Sequence, residues 1–195
     1  MARGRKVNSN GEKSMKLLRE KAIEIFSEYG YFQTKISDIV KAANVTQPTF
    51  YLYFESKETL YKEIITEFKF NLEEIFDDTV NEYEHHQDSK VTIQVLLTRI
   101  FNYFALNPHL TKIGLTESDM SLNGILSQKF KNICEKFVSN FLNNEIASHI
   151  FVQSLIGSVE RVSLSALLEE NMKPEKLAEE IVNIYFSREE ATVSI

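Results

Sequence analysis

Residues 47–57 carry side chains whose types and spacing suit hydrogen bonding to a DNA duplex. Phe50 and Phe54 are four residues apart, so on a helix they share one face and are expected to be buried. The side chains then turned outward are Gln47, Thr49, Tyr51, Leu52 and Tyr53. Tyrosine hydroxyls bond phosphates, glutamine and threonine reach base edges, and leucine contacts a thymine methyl. The segment therefore predicts a surface that enters a DNA major groove.

Two short helices joined by a tight turn would position these groups. The pattern predicts helices over about 37–43 and 47–54, with Ser37 and Thr46 as their N-caps. Asn44 lies between them, where the turn needs a residue that tolerates positive φ. This spacing is typical of a helix-turn-helix whose second helix reads the major groove.

Basic residues flank the two helices. Lys57 is expected at the start of a long helix, where a cation opposes the helix dipole. Helix stability therefore does not explain this lysine, whereas a nearby phosphate would. Arg3 and Arg5 belong to a basic arm over 1–13, expected to be flexible and to lie in a minor groove or along phosphates. A disordered, solvated tail is an equal alternative.

Charge is distributed unevenly along the chain. Residues 1–57 hold ten Lys/Arg and six Asp/Glu, a balance of +4, whereas residues 58–195 hold twelve and twenty-two, a balance of -10. A basic head on an acidic body is typical of a DNA-binding module joined to a domain that does not bind DNA. Random asymmetry is the alternative for so small an excess.

Composition favours a helical protein of the cytoplasm. Only 6 Gly and 3 Pro occur in 195 residues, which argues for long helices rather than many hairpins. A single cysteine excludes an internal disulfide and fits a reducing compartment. The most apolar window, Ile150–Leu168, contains Glu160 and Arg161 and is not expected to span a membrane.

Apolar residues at three- and four-residue steps predict further helices. They cover about 14–29, 57–83, 91–106, 109–116, 125–142, 145–170 and 175–186. Gly30 is placed to end the first of them and Ser56 to cap the second. The expected fold class is therefore all-α with about nine helices.

Residues 45–61, V-T-Q-P-T-F-Y-L-Y-F-E-S-K-E-T-L-Y, resemble the recognition-helix signature of the TetR family of bacterial transcription regulators. F-S-E-Y-G-Y at 26–31 and T-K-I-S-D-I-V-K-A-A at 34–43 also fit that family. The resemblance implies a homodimer in which each chain has a small DNA-binding head and a larger ligand-binding body. We expect the head at 1–56 and the ligand-binding and dimerisation domain at 57–195.

The family's usual DNA contacts, carried onto this sequence, fall on three groups of residues. They are Thr34, Lys35 and Ser37 before and within the second helix, the five outward residues of the third, and Lys57. Leu52 departs from the family, which often has a polar residue such as histidine there. We expect Leu52 to make an apolar contact and no hydrogen bond.

The last two helices form the dimer interface in the resembled family. The candidate interface residues are Ser154, Gly157, Ser158, Arg161, Ser165, Ile181, Ile184 and Tyr185. A glycine inside a helix costs about 1 kcal/mol against alanine, so Gly157 indicates close packing. An intramolecular hairpin would suit these residues too.

The aromatic content, 14 Phe and 8 Tyr, suits an apolar pocket for a small hydrophobic effector. Candidate lining residues are Phe68, Phe101, Phe104, Ile113, Phe137, Phe141 and Gln153, with Asn102 and Glu117 as polar anchors. Simple core packing is the favoured alternative for any one of them, because aromatic stripes on amphipathic helices are usually core.

No catalytic pattern stands out: the sequence lacks G-x-S-x-G, a Gly-rich phosphate loop, H-E-x-x-H and C-x-x-C. The adjacent His85 and His86 do not share a helix face, Cys134 is expected to be buried and inert, and no cofactor or metal is predicted. The predicted function is a ligand-responsive repressor that binds a double-stranded, pseudo-palindromic operator as a dimer. The alternatives are a helical ligand-binding or adaptor protein that acts through protein contacts and, less favoured, an enzyme.

Overall fold

A computed structural model of the chain describes residues 8–83, 89–116, 129 and 145–186. Eight α-helices lie in these ranges: α1 (Asn8–Tyr29), α2 (Ile36–Ala42), α3 (Gln47–Tyr51), α4 (Lys57–Tyr83), α5 (Ser89–Leu106), α6 (Pro108–Thr116), α7 (Glu145–Val162) and α8 (Pro174–Phe186). A π-helical segment, Ser163–Glu169, continues α7. No strand occurs among the described residues, and the predicted all-α class is confirmed. The helix predicted over 125–142, with its Cys134, lies outside them except for residue 129.

The chain divides into two compact units, Met1–Phe68 and Lys69–Ile195. The division falls inside α4, so this helix contributes residues to both units. The predicted boundary at 56/57 instead lies at the first residue of α4. Leu60, Ile64 and Phe68 lie in the part of α4 that belongs to the first unit, and all three are buried.

The first unit has a continuous apolar core. Leu18, Ala22 and Phe26 follow one face of α1 at four-residue steps and are 0–3% exposed. Gly30 ends α1 with φ at 81° and donates its N–H to the Phe26 carbonyl at 2.9 Å, as its position predicted. An ion pair between Arg19 of α1 and Glu67 of α4 adds a polar contact at the edge of this core.

The second unit is built on the packing of α5 against α8 and the π-helical segment. The α8 residues in that core are Leu177, Ala178, Ile181 and Val182. Ile181 is 4% exposed, whereas Ile184, three residues on, is 75% exposed. The prediction that Ile181 lies in a dimer interface is therefore wrong, because its side chain is already covered within its own chain.

One described helical stretch, His149–Glu169, is long and apolar enough to cross a membrane by length and composition. A third of its window, 33%, is buried within the chain. Leu155, Ile156 and Val159 are fully buried in it, so one face of the stretch belongs to the core of the second unit. A core helix of this kind passes the same length and composition test.

Ser56 caps α4 as predicted, because its Oγ accepts the backbone N–H of Thr59 at 3.0 Å. We expect Ser56→Ala to lower the free energy of unfolding of the first unit by about 1 kcal/mol. Thr46 occupies the same position before α3 but makes no side-chain cap bond, so Thr46→Ala is the matched control and is expected to cost less. Denaturant unfolding of both variants, followed by circular dichroism, measures the difference. Equal losses would mean that the Ser56 bond does not stabilise α4.

Candidate nucleic-acid interface

The turn between α2 and α3 sets the orientation of α3 relative to α2. Asn44 adopts the left-handed conformation predicted for it, with φ at 51°. The Val45 N–H then returns to the Val40 carbonyl at 2.9 Å, which closes the turn. Ala43 and Ile39 are buried beneath it at 2% and 0% exposure. The backbone that presents α3 is therefore fixed by hydrogen bonds on one side and apolar packing on the other.

The inner face of α3 is aromatic, as the sequence predicts. Phe50 and Phe54 are 0% and 4% exposed, and their ring centroids lie 5.4 Å apart. Tyr51 and Leu52 are exposed at 52% and 77%, and Gln47 is also exposed. A short helix with one face fully buried therefore presents a tyrosine, a leucine and a glutamine to its surroundings.

Two of the five residues predicted to face outward, Thr49 and Tyr53, already make contacts within the chain and are only partly available to contact DNA. Thr49 shares a hydrogen bond with Thr46, their hydroxyl oxygens being 2.9 Å apart. Tyr53 lies beyond the end of α3, which stops at Tyr51 rather than at Phe54. The Tyr53 hydroxyl oxygen would be 3.4 Å from a Cβ placed on Gly11 of α1. Thr49 and Tyr53 are thus partly engaged within the chain.

Lys35 and Ser37 lie at the start of α2, where both side chains are exposed. The helix begins at Ile36, one residue earlier than predicted, and Lys35 rather than Ser37 is its N-cap residue. Asp38 supplies the capping bond, since its Oδ2 accepts the Lys35 N–H at 3.0 Å. The capping role predicted for Ser37 is therefore wrong, because a carboxylate in the first turn takes it.

Thr34 is buried at 2% exposure, and its hydroxyl donates to the Gly30 carbonyl at 2.8 Å. Its hydroxyl is used to hold the turn after α1 and is not presented at the surface. The prediction that this side chain contacts DNA is wrong in this conformation. Sequence position placed it next to Lys35, but only the folded turn shows that it points inward.

Lys57 has partners within the protein. Its ammonium donates to the backbone carbonyls of Tyr31 at 2.7 Å and Thr34 at 2.8 Å, and it lies 4.2 Å from the centroid of the Tyr31 ring. These contacts explain a cation at this helix start without a phosphate, and the predicted phosphate contact stays a prediction. Three protein contacts that are distant in sequence account for the cation.

Neighbouring charged groups shift the pKa values of three exposed residues on the first unit, Glu58, Lys62 and Tyr29. The hydrogen bond and the charge of Lys62 lower the pKa of Glu58, and the same bond from Glu58 raises the pKa of Lys62. The hydrogen bond and then the charge of Glu28 raise the pKa of Tyr29. These groups keep their ordinary charges at neutral pH. The Lys62 Nζ forms an ion pair with the Glu58 Oε1 at 2.5 Å.

Sequence reasoning missed two aromatic residues beside this surface. Phe32 is 86% exposed in the turn after α1, and Tyr31 packs its ring between Phe32 and Tyr61 at centroid distances of 5.3 and 4.6 Å. The run of aromatic residues directly after Gly30 is the signal in the sequence. The predicted helix start at Ser14 was also late, because α1 begins at Asn8 and the expected flexible arm is helical from that residue.

Other predicted DNA contacts, Arg3 and Arg5, lie outside the described residues. So do three of the predicted pocket residues: Glu117, Phe137 and Phe141.

The remaining pocket residues are mostly core. Phe68, Phe101, Phe104 and Ile113 are 0–2% exposed. Burial of these four side chains agrees with the core-packing alternative for them, and the pocket as a whole stays a prediction. Gln153 is half-buried on α7.

A solvent-open groove of about 830 Å³ lies elsewhere in the second unit, between α4 and α5. Its lining residues are Ile75, Asp78, Asn81, Glu82, Arg99, Asn102, Tyr103 and Leu106. Arg99 donates to Glu82 at 2.5 Å and to Thr79 at 3.1 Å, so its charge is balanced within the chain. Of the predicted ligand residues, Asn102 is the one that this groove contains. No cluster of metal-binding side chains occurs in the described ranges.

The outer face of α7 is lined by small residues. Gly157 and Arg161 are exposed there, and among the described residues nothing beyond the adjacent backbone of α7 lies within 4 Å of a Cβ placed on Gly157. The Tyr185 hydroxyl reaches across from α8, donating to the Ser154 carbonyl at 2.9 Å and lying 2.6 Å from the Ser158 hydroxyl. Ser165 bonds back to the Arg161 carbonyl at 3.0 Å. These hydrogen bonds join α7 to α8, and the exposed Gly157 lies beside them.

Comparisons with known proteins agree with this architecture. The family model for bacterial regulatory proteins of the tetR family matches residues 18–64. The HTH-type transcriptional regulator YdgC of Bacillus subtilis (strain 168) is 30% identical over 187 residues, which cover 91% of this chain and 93% of YdgC. The HTH-type transcriptional repressor DhaR of Mycobacterium sp. (strain GP1) is 27% identical over 80% of this chain and 84% of its own length.

The fold is also that of a solved regulator. FadR from Bacillus subtilis, crystallised in complex with stearoyl-CoA, superposes with a TM-score of 0.65 at 20% identity. The match covers 88% of this chain and 97% of FadR.

Proposed function

The chain belongs to the TetR family of bacterial regulatory proteins, and we propose that it is a transcriptional repressor that a small effector releases from its operator. The observation that carries the proposal is the outer face of α3. Tyr51, the last residue of α3, and Leu52, its C-cap, are 52% and 77% exposed, whereas the neighbouring Phe50 is buried. Large apolar side chains held rigidly at a surface mark a binding site, and the neighbouring Lys35 and Gln47 fit a nucleic acid.

In the proposed complex, α3 lies in the major groove and each exposed side chain contacts either a base or a phosphate. Gln47 hydrogen-bonds a base edge, and Leu52 packs on a thymine methyl. Tyr51 donates its hydroxyl to a phosphate. Lys35, at the N-terminus of α2, neutralises a neighbouring phosphate and adds to the positive end of that helix.

A dimer would bring two copies of α3 to successive major grooves, about 34–36 Å apart, and so select a pseudo-palindromic operator. Gly157 supports an interface on the outer face of α7. Its own chain leaves the space beside it empty, yet a glycine inside a helix costs about 1 kcal/mol against alanine. A second copy that packs closely against α7 explains why a glycine is there. Ile184, 75% exposed on α8, would be covered in the same contact.

The effector is proposed to be a small hydrophobic molecule bound by the second unit. DhaR, by its name, is a repressor, and the fold shared with FadR can hold an acyl-CoA. A ligand changes operator affinity only if it binds the DNA-competent and the released conformations unequally. A regulator that acts on chromosomal DNA works in the cytoplasm, and the proposal includes that location.

Selection of genomic fragments by the purified protein tests this function. Bound fragments are recovered, sequenced and then titrated in a mobility-shift assay at two salt concentrations. We expect a pseudo-palindrome to be enriched and bound more tightly than bulk DNA. Failure to select any fragment over bulk DNA would contradict the proposal and favour the alternative of an adaptor that uses α3 for protein contacts.

Lys35→Met should weaken binding to operator and bulk DNA alike. Removing one phosphate contact is expected to reduce the slope of log affinity against log salt by about one. Lys112→Met, at an exposed lysine of α6, removes the same charge from the second unit and should leave the slope unchanged. Mobility shifts over a series of salt concentrations give both slopes. Equal slopes for the two variants would remove Lys35 from the interface.

A further inference from the structure

The turn that connects α1 to α2 is fastened at both of its ends. Thr34 donates its hydroxyl to the Gly30 carbonyl at 2.8 Å, which closes the turn on itself. The Tyr31 ring packs against Phe26 of α1 and Tyr61 of α4, with centroids 5.9 and 4.6 Å away. These contacts matter for position because Lys35, the N-cap residue of α2, follows the turn directly.

Lys57 makes the polar connection between this turn and α4. Its ammonium donates to two carbonyls of the turn, those of Tyr31 and Thr34, and lies over the Tyr31 ring. A lysine has three N–H donors, so these carbonyls use two of them. The side chain is half-buried. No ion pair found within the described ranges includes it.

These partners favour a structural role for Lys57. Two carbonyl oxygens and a ring hold its ammonium, so a phosphate would have to compete with them. Hydrogen bonds from a charged donor are roughly twice as strong as neutral ones. An ammonium over a tyrosine face adds further attraction.

We propose that Lys57 is a positioning residue that clamps the turn before α2 to the first residue of α4. The proposal rests on the DNA-binding function given above and deepens it. The clamp fixes where α2 begins, and with it the Lys35 side chain and the α2–α3 pair. Without it, the chain would still fold on its apolar core, but the turn would sample several positions and operator affinity would fall.

A tryptophan reporter tests the clamp without DNA. The chain has no tryptophan, so Phe32→Trp, at an 86% exposed site in the turn, creates a single fluorophore. In that background, Lys57→Met should lower the steady-state anisotropy of the tryptophan fluorescence at an unchanged circular dichroism spectrum. Lys57→Arg, which keeps the charge, the donors and the ability to stack on a ring, should restore most of the anisotropy. Lys62→Met, one turn along α4, is the matched control and should change nothing.

Salt titration of operator binding provides the second readout. Lys57→Met is expected to lower affinity about tenfold while the salt slope stays that of the wild type, because no phosphate contact is lost. A slope reduced by about one, together with unchanged anisotropy, would overturn the clamp and make Lys57 a phosphate contact. Unchanged affinity and unchanged anisotropy would also overturn it.

The two readouts separate this proposal from the function on which it rests. If the wild type selects no operator, the proposed function fails, while the anisotropy still decides whether Lys57 holds the turn. If Lys57→Met does not fold, Tyr31→Leu removes only the ring and keeps both carbonyls. That variant should lower the anisotropy by a smaller amount, and an anisotropy equal to the wild-type value would contradict a clamp that includes the ring.

Discussion

Replacement of Gly157 by arginine is expected to separate the proposed dimer into monomers and to lower operator affinity by about 10²–10⁴-fold. Two linked heads bind two half-sites with an avidity that a single head lacks, which sets the size of the loss. The arginine should fit against its own chain, because among the described residues nothing beyond the adjacent backbone of α7 lies within 4 Å of a Cβ at this position. A loss of dimer or of operator affinity is therefore expected to come from a second molecule that packs on α7.

Sedimentation velocity and operator mobility shifts measure the two consequences. Gly157→Ala should be tolerated better than arginine, and within one chain it should stabilise α7 by about 1 kcal/mol. Ala105→Arg introduces the same side chain at an exposed position of α5 and should leave the dimer intact. If Gly157→Arg sedimented as a dimer and bound operator like the wild type, the interface would have to lie elsewhere.

The geometry of the helix-turn-helix could be predicted from the sequence because it depends on local rules. The four-residue step from Phe50 to Phe54 identifies the buried face of α3, and both residues are buried. Gly30 and Asn44 are residue types that adopt positive φ easily, and both do so. These features need only a helix period and the conformational preference of single residues.

Contacts between residues far apart in sequence could not be predicted in the same way. Lys57 reaches carbonyls 26 and 23 residues earlier, and nothing in the sequence pairs an ammonium with those two atoms. The burial of Thr34 could not be predicted for a related reason. Its neighbour Lys35 is exposed, and only the closed turn shows that the threonine side chain points inward. Such pairings are decided by tertiary packing.

The second unit shows another limit of prediction from sequence, because an apolar residue suits a protein core and a ligand pocket equally well. Phe101 and Phe104 have the types expected around a hydrophobic ligand, yet both are fully buried in this conformation. Ile181 and Ile184 belong to one apolar pattern, but one faces the core and the other the surface. Periodicity identifies apolar positions, while the neighbouring helices decide which of them remain accessible.

Substitutions on α3 are expected to change which operator is preferred rather than how strongly DNA in general is bound. Gln47→Ala removes a hydrogen bond to a base edge, and Leu52→Ala removes an apolar contact to a thymine methyl. Each lost contact should reduce discrimination at one base pair by about 1–3 kcal/mol. The salt slope should not change, since neither side chain is charged.

A set of operators altered one base pair at a time measures this effect, each being titrated against the wild type and the two variants. Leu106→Ala is the matched control, because that leucine is 81% exposed on α5 and undergoes the same truncation. The control should keep the wild-type preference at every position. A uniform loss for Leu52→Ala across all operators would mean that Leu52 supports the fold of α3 or contacts the DNA backbone. A loss confined to one base pair, in contrast, requires that its side chain lie in the groove against that pair, because only base edges and thymine methyl groups differ between the operators.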